Sequence, residues 1–234
     1  MKQKSIVIQY IIFSFIAVLL LLILTLFVNP NNSNLSIFDK SIIGIFFIIS
    51  CLIGISLTNN PGWIKRLLKN QFQKTSNNKT KKNVRKREGH HPDCYKFKLH
   101  TIEIKNKKYC TGCLGISIGG IISIILMIIY IINNVKIPLD ILSYLVISGF
   151  IIIGLVFIEI MLNRRKIFTH ILLNSLLVIS FFIIVVGITE ITGSIIYGII
   201  CIILSFLWLD TRILISNRHH KLLCNNCDKS CKMY

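Results

Sequence analysis

Six apolar runs, each close to the length that crosses a hydrocarbon core, dictate what this chain can fold into. They lie at about Ile6–Val28, Ser41–Thr58, Cys113–Ile132, Ile137–Leu162, Phe168–Ile188 and Ile191–Leu209. A bilayer core holds no water to satisfy backbone N–H and C=O groups, so such runs must close their hydrogen bonds internally as helices. With 53% hydrophobic residues and a mean hydropathy of +0.70, the chain is too apolar for an ordinary soluble domain. The expected fold class is an all-α polytopic membrane protein with about six transmembrane helices. The first run does not read as a cleaved signal peptide. Its apolar core continues past about twenty residues into Val28-Asn29-Pro30-Asn31, with no small-residue cleavage site.

The placement of Lys and Arg orients the spans. Of the 27 basic residues, the loops assigned to the outer face keep only Lys40 and Lys136. The remainder fall on the N-terminus, on the segment between the second and third spans, on Arg164–Lys166 and from Arg212 onward. A cell-membrane protein with both termini in the cytosol satisfies every loop. The formal charge of +18 then follows from topology and from attraction to anionic inner-leaflet lipid. Nucleic acid is not needed to account for it, because the basic stretch from Lys65 to Arg87 lacks interleaved aromatics for base stacking.

Five segments follow. Residues 1–60 carry the first two spans, and 61–88 form a basic interfacial helix and tether. Residues 89–113 are expected to form a small cytosolic hairpin between helices 2 and 3. Residues 113–210 hold spans three to six, and 211–234 form a cytosolic tail rich in Cys and His.

The chemistry concentrates in the hairpin. His91, Cys94, Cys110 and Cys113 read as H-x2-C-x15-C-x2-C, a zinc-ribbon spacing with histidine in the first position. Zinc prefers four tetrahedral Cys and His ligands, and ligands two residues apart wrap one turn around the ion. Between the pairs, Tyr95 to Ile104 alternates with period two until it slips near His100, and Lys105–Lys108 can turn the chain back. Gly112 is expected to free the second turn. Cys113 opens the third span, whose N-terminal dipole favours a thiolate. His90 could replace His91, and His100 is either a spare ligand or an ordinary strand residue. A candidate second metal site, His220, Cys224, Cys227 and Cys231, closes the chain. Alternatively, Cys224 and Cys227 join Cys110 and Cys113 in one four-cysteine site. The predicted cofactor is Zn2+; an iron–sulfur cluster fits the x2, x3 spacing of the tail less well.

Glu88 and Asp93 make no H-E-x-x-H or comparable catalytic pattern, so a structural metal role is the primary reading. Cys110-Thr-Gly-Cys113 at a helix start is also the layout of a redox dithiol. Within the bundle, Asp140, Glu159, Glu190 and Asp210 read as interfacial, with Glu159 in reach of Arg164 and Arg165. His170 and Asn174, one turn apart, could line a small polar pocket or bond between helices. Gly115-x3-Gly119, followed by Gly120, should admit a close neighbour to the third span, as should Gly193 and Gly198 to the sixth. Cys51 and Cys201 read as small packing residues.

The segment His90-His91-Pro92, Phe97 and Cys110-Thr-Gly-Cys113-Leu-Gly115 resembles a family of small prokaryotic integral membrane proteins without an assigned activity. It covers about Gly89–Gly120, and it implies architecture and not function. The functional expectation is a membrane scaffold, assembly factor or sensor with a cytosolic zinc site, working with a membrane-protein partner or a second copy. The alternatives are a membrane thiol–disulfide oxidoreductase using Cys110 and Cys113, and a small-solute transporter with His170 and Asn174 in its path.

Overall fold

A computed structural model of the chain describes residues 2–27, 35–59, 100–104, 107–133, 138–161 and 166–225. Its helices are α1 Lys2–Phe27, α2 Ile37–Asn59, α3 Thr111–Asn133, α4 Leu139–Met161, α5 Ile167–Thr192 and α6 Ile195–Asn225. All six are long and apolar enough to cross a membrane, which is the architecture of a polytopic membrane protein. Large side chains such as Phe13, Phe15, Leu20, Phe27, Phe38, Phe46 and Ile151 lie exposed around the bundle. A bilayer is the solvent that suits such a belt.

The two strands β1 Thr101–Ile104 and β2 Lys107–Cys110 pair antiparallel, with Thr101 opposite Cys110 and Ile104 opposite Lys107. This is the hairpin expected before the third span, and β2 runs directly into α3. The preceding ligand pair, the interfacial helix and the tether lie outside the described residues.

Helix α5 is the axis of the bundle. It packs most extensively against α3 and α4, and also touches α6 and α1. Glycine explains how closely α3 approaches. A Cβ built on Gly119 would stand 2.8 Å from Ser175 Cα, and one on Gly115 would stand 2.5 Å from Ile171 O. Only a residue without a side chain fits there, as at the small-residue contacts that hold helices together in lipid. Ser175 Oγ donates across this contact to Gly115 O at 2.9 Å. On the other side, Gly120 faces Ile55 of α2, and Thr58 Oγ1 and Ser117 Oγ share a hydrogen bond of 2.7 Å. Buried Trp208 ties α6 to α1, donating from Nε1 to Ser14 O at 3.3 Å beside a Ser14–Thr211 hydroxyl pair at 2.7 Å. Cys51 and Cys201 are buried, as packing residues should be.

Five expectations need correction. Helix α2 begins at Ile37, so Lys40 is not a loop residue but a buried one. Its Nζ lies 2.7 Å from Glu190 Oε1 and over the Tyr130 ring, whose hydroxyl donates to Glu190 at 2.6 Å. Glu190 is thereby drawn between helices, because a cation and a hydroxyl satisfy it there. Glu159 is likewise buried, while Asp140 and Asp210 are exposed as expected. Gly193 is a turn residue and not a packing point. It takes the left-handed φ of 61° that ends α5, with its N–H donating to Thr189 O at 2.9 Å. Finally, α6 does not stop near Leu209 but continues to Asn225, so the first part of the expected tail is helical.

Candidate functional site at the hairpin end of the bundle

The hairpin sits where α3 and α5 begin and α4 ends. Cys110 is the last residue of β2, and Cys113 lies in the first turn of α3. This strand-to-helix turn brings the two half-buried thiols within hydrogen-bonding reach of each other. Fully buried Thr111 fixes the turn from within, its Oγ1 donating to His100 O at 3.2 Å. That contact joins the start of α3 to the start of β1.

His100 itself is buried and precedes β1. Its ring meets that of His170 edge-on, with centroids 6.4 Å apart. It therefore lies just before the strand and not in it.

Beneath the turn lies a polar layer shared by three helices. His170 of α5 is buried with Nδ1 at 3.1 and 3.2 Å from the two Glu159 oxygens of α4. A carboxylate accepts, so the His170 proton belongs on Nδ1. The other ring nitrogen faces Gly112, where an added Cβ would stand 3.2 Å from Nε2. Asn174, fully buried one turn further along, donates from Nδ2 to His170 O at 2.5 Å. Its Oδ1 has no hydrogen-bond partner among the described residues. His170 thus makes the inter-helix bond that was one of the two expectations, to Glu159, whereas Asn174 bonds back to His170 within α5.

Arg212 completes the layer. It is 7% exposed, its Nη2 abuts Gly112, and its Nε has no hydrogen-bond partner among the described residues. Its charge interacts with Cys110, Cys113 and Glu159. Gly112 is helical with ordinary φ, so its role is not conformational freedom. It leaves room for the guanidinium and the imidazole against the helix backbone.

Arg212 was assigned by sequence to a cytosolic tail, and that is where the reading missed a site residue. The signal was present: Ile213-Leu214-Ile215 resumes the apolar run directly after it. Arg164 and Arg165, the expected neighbours of Glu159, lie outside the described residues.

Among the described residues, no three His, Cys, Asp or Glu side chains gather as a metal-ligand group. His90, His91 and Cys94 lie outside them, so the described portion contains only the second ligand pair of the expected site. Cys110 and Cys113 fit the thiolate half of such a site by their proximity and by the cation beside them. Of the second cluster, His220 and Cys224 fall in the last turns of α6, whereas Cys227 and Cys231 lie outside the described residues. Comparison with protein-family models, with curated proteins and with solved structures finds no match to the chain.

Proposed function

We propose that this is a multi-pass membrane protein whose hairpin end faces the cytosol and binds zinc through His91, Cys94, Cys110 and Cys113 in a structural role. The ion would fix the entry of α3 into the bundle, and the protein would serve as a scaffold, assembly factor or sensor. One observation carries the reading: Cys110 and Cys113 flank the turn at the mouth of α3, where the buried Arg212 guanidinium abuts Gly112 between them. Paired thiols with a nearby cation suit a thiolate-rich metal site, because zinc takes the deprotonated sulfur. The Lys and Arg distribution supports the orientation.

The test is metal content and thiol count on protein purified in detergent, for the wild type and Cys110→Ser. At least one zinc per chain, lost in the variant, is the expected result. Metal-free protein with a reversible Cys110–Cys113 disulfide would overturn it. That outcome would favour the thiol–disulfide oxidoreductase, which the placement of the two thiols on one strand-to-helix turn also supports.

A further inference from the structure

We infer that an acyl chain of a bilayer lipid occupies a slot between α3 and α4, in the half of the membrane nearer Lys40. The inference rests on the membrane-spanning architecture and not on the zinc reading.

Helices α3 and α4 follow one another through a short connection, yet among the described residues each packs extensively on α5 and little on the other. Glycine contacts hold them apart. Ile131 and Met127 of α3 fill the space over Gly44, which leans this half of α3 onto α2. Val146 of α4 fills the space over Gly187, and Ile184 of α5 comes up to Gly149, which keeps α4 on α5. Between α3 and α4 is left a cavity of about 200 Å3. Leu126, Ile129 and Tyr130 wall it on one side and Leu142 and Leu145 on the other, with Ile183 of α5 in its floor.

All three helices are long and apolar enough to cross a membrane, and Ile129 and Leu145 are exposed, so the slot opens on the lipid belt. Its chemistry recognises hydrocarbon. The only polar side-chain atom among the described lining residues is the Tyr130 hydroxyl, which already donates to Glu190. Water needs several polar partners and finds none here. A helix, about 10 Å across with its side chains, is too wide to enter. An extended chain fits. It touches three helices at once, and each added close pair of carbon atoms contributes dispersion attraction that an empty slot would forfeit. Leu126 to Tyr130 covers about 6 Å of helix rise, so the slot grips a few methylenes and leaves the headgroup outside. The site therefore selects a chain and is indifferent to what that chain is attached to.

Full-length protein in phosphatidylcholine nanodiscs is irradiated with a phospholipid carrying a mid-chain diazirine, offered with a choline or a glycerol headgroup. Adducts are mapped by peptide mass spectrometry. Those on residues 126–130 and 142–145 should exceed severalfold those on exposed Leu20 and Ile23, which lie as near the corresponding end of α1. The excess should be equal for the two headgroups. Leu145→Trp, which places an indole over the slot, should bring the excess down to the α1 level. Slot adducts no more frequent than those on α1 overturn the inference, and this wild-type comparison holds even if Leu145→Trp does not fold. An excess confined to one headgroup also overturns it, because a headgroup site would then be the cause. So does a slot that loses its adducts in discs holding two copies instead of one, which would give the space to a neighbouring chain.

Discussion

His170 Nδ1 lies 3.1 Å from Glu159 Oε2, and this bond joins α5 to α4 directly below the Cys110–Cys113 turn. Both side chains are nearly buried, so the bond helps to offset the cost of taking them from water. Replacing His170 by Phe keeps the ring but removes the donor. The expected cost is about 1–2 kcal/mol, the upper range of hydrogen bonds between membrane helices, read from unfolding midpoints in mixed micelles. Wild-type stability in His170→Phe would show that the contact does not support the bundle.

The glycines divide into two groups with opposite expectations. Gly119→Ala drives a methyl into the Ser175 backbone and should destabilise by about 1–3 kcal/mol, because neither helix can yield locally. Gly54 and Gly154 have open space where a Cβ would go. Alanine there should be neutral or stabilise by about 0.5–1 kcal/mol through helix propensity. Thermal melts of the three variants, compared in one detergent, check the sign of each.

At the far end of the bundle, Lys40 and Glu190 should behave as a coupled pair. Lys40→Met alone strands a half-buried carboxylate and is expected to cost about 3 kcal/mol. Lys40→Met with Glu190→Leu should recover most of that loss. Additive costs in the double variant would mean that the two charges are not each other's partners.

Orientation is checked by labelling. In a chain whose other seven of eight cysteines are serine, Cys94 should react with a membrane-impermeant maleimide only after the inner face is opened. Labelling of intact cells or right-side-out vesicles would reverse the topology. It would move the thiol pair to a compartment where disulfides persist.

The spans were legible because hydrophobic length is a strong signal, and their approximate positions and number follow from it. The hairpin was legible in part: the alternation ends at Ile104 as β1 does, but Lys107 and Lys108, read as turn, belong to β2, and residues 95–99 lie outside the described residues. Gly115-x3-Gly119 announced a close helix contact, although not that α5 would fill it. Charged residues near the ends of spans were harder to read. Lys40, Glu159 and Glu190 lie where a side chain can equally turn outward to headgroups or inward to a neighbour. The choice depends on a partner tens of residues away in sequence. Arg212 was misread for the related reason that an arginine after an apolar run looks like a stop signal.

Two contacts near opposite ends of α3 and α5 have a joint consequence. Gly115 receives the Ser175 hydroxyl at one end, and Tyr130 reaches Glu190 at the other. Fastened near both tips, the two helices cannot slide or pivot independently, and they behave as a single stiff beam running the depth of the bundle. A tug on the thiol-bearing turn is then felt at the Lys40 end without any travelling rearrangement, much as pushing one end of a rod moves the other.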